Sequence, residues 1–276
     1  MRATFSYSTD CIMHNILDAF IGIRCGRKVS SPIKINPKFM PLYDSIKDLL
    51  PEFSSLHKNK NELEFLNDKS SIIDLAKVEL NSELKEILDF VQHISKELEE
   101  LYNKLGQQIV SDLETFFSAG MPEAVNVILV YSPTERTATD RGGRGVTLDK
   151  NTILLEVAPE RNAQQMFCIL VHEFVHLLGK NNDNFINRAF AALNIKYYQS
   201  AEELIARLLA PQGILTRKYN LAPVVLEDAF YDELLLLAKD RLLQKVDFNT
   251  FCKNIALKIG QLGSEEWENL LARFKC

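Results

Sequence analysis

Over most of the chain, apolar side chains recur with the period of a helix. Leu84, Ile87, Val91, Ile94, Leu98, Leu101 and Leu105 alternate spacings of three and four, which predicts one long helix over about 82–118, ended by Gly120 to Pro122. The same mixed spacing predicts a first helix over 8–24 and C-terminal helices over 224–245, 248–259 and 264–275, with a break at Gly260-Gln-Leu-Gly263. A region punctuated by Pro32, Pro37, Pro41 and Pro51 follows the first helix, and residues 54–70 read as a polar loop or a short helix. Strands are expected further on. Residues 125–131, 145–149 and 151–157 are β-branched, bounded by turn residues, and predict a small sheet. Residues 133–144 between those strands read either as a flap over a cleft or as an ordinary surface turn.

One window breaks this division. The run Met166-Phe-Cys-Ile-Leu-Val-His-Glu-Phe-Val-His-Leu-Leu-Gly179 is apolar on every side, as in a core helix, yet it carries two imidazoles and a carboxylate. Buried polar groups cost several kcal/mol, roughly, unless something satisfies them. A divalent metal ion would satisfy all three. Residues four apart lie one turn above each other, so His172 and His176 can direct ring nitrogens at one point. Glu173 is rotated by about 100° from His172, so it flanks that point and reaches a water there more naturally than the ion. The chemistry this predicts is hydrolysis: zinc (Zn2+) acidifies the water, Glu173 takes its proton and later passes it to a leaving amine. A pair of His and a Glu satisfied by one another or by backbone carbonyls is the alternative reading of the window.

His172-Glu-Phe-Val-His176 resembles the signature of the zincin metallopeptidases, His-Glu-x-x-His on an active-site helix. The resemblance implies a zinc hydrolase, most often a peptidase, with a sheet before the helix whose edge strand holds extended substrate. Two His leave zinc short of a third protein ligand. One zincin branch continues Gly-x-x-His; here Gly179 is present, but the ligand slot is Asn182, and Asp183 is one place off. The gluzincin branch takes a Glu from a second helix downstream, and residues 200–210, halted by Pro211, look like that helix. Glu203 begins Glu-Leu-Ile-Ala, similar to the Glu-Gly-x-Ala of several such families, and Ala206 is small enough for two helices to approach closely. Ser200 and Glu203 also spell a capping box, and Glu203 lies opposite the stripe of Ala201, Leu204, Ile205, Leu208 and Leu209, with Glu202 at its edge. A ligand facing a polar cleft need not join the apolar stripe, so Glu203 is favoured over Glu202 and Asp183.

Two further family features bear on the site. Ala-x-x-x-x-Ala-x-Leu-Leu-Ala-Pro is distantly similar to the ImmA/IrrE-type proteases, although that pattern has its metal-binding Glu where Ser200 stands. Some gluzincins place an Asp four residues after the ligand; that position here is Arg207. A carboxylate is expected to orient His172 through its other ring nitrogen. Tyr197, Tyr198, Tyr219 and Tyr231 are candidates to stabilise an oxyanion.

Composition narrows the classes. The 276 residues, 46% hydrophobic, suffice for real cores, and a net charge of −5 leaves no footprint for nucleic acid. Five Cys (Cys11, Cys25, Cys168, Cys252, Cys276), scattered and odd in number, read as reduced thiols of a cytoplasmic protein, while export by routes without a classical signal peptide stays compatible. No stretch is apolar enough to predict a membrane span. The expected fold is α+β and mostly helical: an N-terminal helical region (1–119), a zincin-like core (120–215) with a small sheet beside the His-Glu-x-x-His helix, and a C-terminal helical subdomain (216–276). The expected partner is a peptide or protein substrate. The stripe over 84–105 offers a seam for a homodimer, or else lies across the chain's own catalytic domain. The competing class is a non-catalytic helical interaction protein whose metal site is structural or decayed.

Overall fold

A computed structural model of the chain describes residues 1–24, 34–51, 54, 71–135, 145–193, 201–221, 229–263 and 266. The protein is mostly helical with a small four-stranded sheet. The strands are β1 (Arg2–Ser6), β3 (Ala124–Tyr131), β5 (Gly145–Thr147) and β6 (Thr152–Val157), in the order β1-β3-β6-β5. The first three run parallel and β5 runs antiparallel at the edge. A separate two-stranded ribbon joins β2 (Lys34–Ile35) to β4 (Thr134–Glu135). Alternate side chains of β3 serve two clusters, as the period of a strand requires. Val125, Val127, Leu129 and Tyr131 enter the main core, whereas Ile128 and Val130 join Leu154 in a smaller one.

Helices cover this sheet. The first, α1 (Thr9–Arg24), packs on β3, and Asn15 donates from Nδ2 to the Tyr131 carbonyl at 2.9 Å. After α2 (Met40–Ile46) and α3 (Ser71–Glu79) comes α4 (Asn81–Leu101), which continues through one π-helical stretch, Tyr102–Gly106, into α5 (Gln107–Phe117). Gly106 leaves room there for the Tyr102 ring, which a Cβ would meet at 2.6 Å. The helix ends at Ser118, whose left-handed φ of 53° closes it earlier than Gly120 to Pro122 predict. The stripe Ile87, Val91, Ile94 and Leu98 is buried in this same chain, against β1, β3 and the His-Glu-x-x-His helix described below. It therefore lies across the chain's own domain.

That His-Glu-x-x-His helix is α6 (Ala163–Asn181). Asn162 starts it with a reciprocal capping box, accepting from the Gln165 backbone at 2.9 Å while Gln165 accepts from Asn162 at 3.1 Å. Asn182 stops it, donating from Nδ2 to Leu178 and Gly120 carbonyls at 2.8 and 3.1 Å. Short α7 (Phe185–Ala191), α8 (Ala201–Leu209) and α9 (Ile214–Lys218) follow, then the pair α10 (Ala229–Leu242) and α11 (Phe248–Ile259). One continuous apolar core reaches from Ile12 to Ile259, through all three expected segments. The reason is topological: β1, from the N-terminal segment, is a member of the central sheet. Residues 264–275, expected as a helix, lie almost wholly outside the described residues, as do most of 54–70 and 136–144. Among the described residues no helix is long and apolar enough to cross a membrane.

Candidate metal centre

His172 and His176 project from consecutive turns of α6, and their Nε2 atoms lie 3.1 Å apart. The apolar sequence around them has the expected effect: α6 is buried on nearly all sides, and His172 and Glu173 are 7% and 5% exposed. Facing them is α8. Its apolar stripe (Ala201, Leu204, Ile205, Leu208, Leu209) is buried, and Glu203, on the other side, extends over the two imidazoles. Glu203 Oε2 is 3.5 Å from His172 Nε2 and 3.4 Å from His176 Nε2. Three donor atoms thus form a nearly equilateral triangle. A tetrahedral ion with bonds of about 2.0–2.1 Å needs its ligand atoms about 3.3 Å apart, so the triangle fits one. Two imidazoles and a carboxylate are also a donor set suited to zinc.

Glu173 offers another carboxylate near the imidazoles, within 4.8 Å of both. Glu203 Oε2 is the closer of the two to the Nε2 pair, and the Glu173 side chain is held from another direction. The Thr147 hydroxyl lies 3.0 Å from Glu173 Oε2 and 3.2 Å from the Glu173 carbonyl, so β5 holds that side chain to one side. Gly145, two residues earlier on the same strand, presses on it as well: a Cβ there would collide with Cγ and Oε1 of Glu173. Asp183 is exposed in a left-handed turn beyond α6 and is not drawn to the site.

The remaining ring nitrogens fix the orientation of the imidazoles. His172 Nδ1 is 3.0 Å from the Ala210 carbonyl, so a backbone oxygen, not the expected carboxylate, orients this ring. The carboxylate serves His176 instead: Glu202 Oε1 lies 2.8 Å from His176 Nδ1, and its other oxygen accepts from Asn187 Nδ2 at 2.7 Å. Gly179 gives Glu202 this place, since a Cβ at 179 would stand 3.1 Å from Oε1. Glu203 Oε1 is held by Arg207 Nε at 2.6 Å, at the position where some zincins have Asp. Ser200 lies outside the described residues, and the Glu203 carboxylate is engaged by Arg207 and the imidazoles.

Burial works against charge on His176, but hydrogen bonds to Glu202 and Glu203 and the charge of Glu173 outweigh it and raise its pKa to about 10. Burial likewise opposes ionisation of Glu203, yet the hydrogen bonds to His172 and His176 and the charge of Arg207 hold its carboxyl well below the usual range.

Two of the expected oxyanion donors are committed elsewhere. The Tyr219 hydroxyl donates to Asp112 Oδ2 at 2.7 Å, and the buried Tyr231 hydroxyl donates to the Arg207 carbonyl at 2.9 Å. Tyr197 and Tyr198 lie outside the described residues. Thr147, Gly145 and the Ala210 carbonyl are neighbours of the imidazoles and Glu173 that the His-Glu-x-x-His motif does not point to. The only sequence signal at any of them is the glycine-rich stretch that ends at Gly145. In comparisons with protein families, curated proteins and solved structures, nothing matches this chain.

Proposed function

We propose that the protein is a zinc-dependent peptidase of the zincin kind with a gluzincin ligand set: His172, His176 and Glu203 hold the ion and Glu173 is the general base. The observation that carries the reading is the convergence of His172 Nε2, His176 Nε2 and Glu203 Oε2 at 3.1–3.5 Å, with a second carboxylate poised beside them. A zinc ion there would supply Lewis acidity, polarising a carbonyl and acidifying a water. Glu173, beside the imidazoles, would accept a proton from a water there and return it to a leaving amine. Three protein donors leave a tetrahedral ion one open position, which favours a catalytic over a purely structural site.

The neighbouring edge strand supports a peptide as substrate. Leu148 donates its backbone N–H to Thr152 across the β5–β6 pair, and Val146 shares that register. By the alternation of an antiparallel ladder, Gly145 and Thr147 then turn their backbone groups away from β6; there the Thr147 carbonyl accepts from Lys180 Nζ, which leaves the backbone of Gly145 and the Thr147 N–H for pairing. An extended peptide paired along that edge would pass beside Glu173. The test is metal content and peptidolysis on the full chain. About one zinc per chain is expected, lost in His172→Ala and His176→Ala, while Glu173→Gln keeps the metal and loses activity. Peptidolysis indifferent to Glu173→Gln and to chelators would sink the reading. A metal-free protein that is folded and fully stable would favour an interaction protein instead.

A further inference from the structure

Glu203 is the most exposed of the proposed ligands, with 38% of its side chain open to solvent, and it lies off the apolar stripe that locks α8 in place. Packing alone does not decide which carboxylate oxygen it presents. Arg207 does. Its side chain is 4% exposed, one turn along the same helix, and Nε grips Oε1 at 2.6 Å. The backbone of Arg207 is anchored in turn by the Tyr231 hydroxyl at 2.9 Å. A charge-assisted bond this short from a planar guanidinium is directional, unlike an exposed ion pair of the same spacing. It leaves Oε2 alone facing the two imidazole nitrogens at 3.4 and 3.5 Å. We infer that Arg207 is a positioning residue that restricts Glu203 to one-oxygen coordination and so keeps one metal position open. The inference rests on the metal-site reading proposed above. An unrestrained carboxylate can bind through both oxygens, and the second would crowd the place that water or substrate needs.

The test uses the full chain loaded with cobalt(II), whose visible absorption is intense when four-coordinate and weak when five-coordinate. Wild type is expected to give the intense four-coordinate spectrum. Arg207→Met should lose that intensity, and Arg207→Lys, which keeps a donor and a charge, should recover part of it. An Arg207→Met spectrum identical to wild type overturns the inference and leaves the metal-site reading standing. Wild type that takes up neither zinc nor cobalt overturns both. Should circular dichroism show Arg207→Met unfolded, X-ray absorption on zinc-loaded wild type decides: one carboxylate oxygen on the metal supports the restriction, and two overturn it.

Discussion

The Thr147 hydroxyl lies 3.0 Å from Oε2 of Glu173, which links the edge strand of the sheet to the proposed general base. Thr147→Val removes this bond while preserving shape. Expected are a fall in kcat of about ten- to a hundredfold with little change in KM, retained zinc, and rescue by Thr147→Ser. Steady-state kinetics with metal analysis of the three proteins checks this.

Gly145 is a steric prediction. Any Cβ there meets the Glu173 side chain, so Gly145→Ala must push the carboxylate or the strand aside. A displacement of about 1 Å in a catalytic group can cost about a hundredfold in rate. Activity is expected to fall on that scale with the zinc content unchanged.

Zinc uptake should release protons. The pKa of His176 is raised from 6.5 to about 10, so at neutral pH the metal-free site holds a proton that a ligand nitrogen must give up. Calorimetric titrations in buffers of different ionisation enthalpy should find about one proton released per zinc, and affinity rising with pH toward 10. The same sign governs the metal-free protein. A raised pKa contributes stability that is fully present below the unfolded value of 6.5 and is lost as pH rises through about 10. Thermal melts of apoprotein at pH 6 and pH 10 check it.

Glu202 is expected to matter for affinity rather than for the reaction. Through its bond to His176 Nδ1 it fixes that ring, and losing such a partner typically costs about ten- to a hundredfold in metal affinity. Competition with a chromophoric chelator on Glu202→Ala measures the loss. Gly179→Ala, which crowds the same carboxylate, should move affinity in the same direction.

Arg241 gives a stability prediction independent of metal. It is 5% exposed and donates to the Phe116 and Thr115 carbonyls, the Ser118 hydroxyl and the Val246 carbonyl at 2.6–3.0 Å, closing the end of α5. Arg241→Ala should destabilise by about 2–4 kcal/mol, and Arg241→Lys by less, since one ammonium cannot span all four acceptors. Denaturant unfolding of the two variants tests the order.

His172, Glu173 and His176 are legible in the sequence because three ionisable groups conflict with an otherwise apolar helix. The helix over 248–259 is legible too, bounded by the Asp247 cap and Gly260. Other parts leave no local trace. β1 is five residues long, and its partner β3 lies more than a hundred positions away. Glu202 and Glu203 are neighbours on a polar flank, and only the packing of α8 on α6 sends one to Nδ1 of His176 and the other toward the Nε2 pair. Arg207 reads in the sequence as a missing Asp; its grip on Glu203 requires the fold.

The span from Ala201 to Ala210 reaches all three proposed ligands: Glu203 directly, His176 through Glu202, and His172 through the Ala210 carbonyl. No ligand is aligned independently of that one segment. Docking of α8 is therefore expected to act as a single on–off step for the proposed centre. A chain in which α8 has slipped should hold no half-built site of intermediate affinity, and metal capture and closure of the α6–α8 contact should occur together.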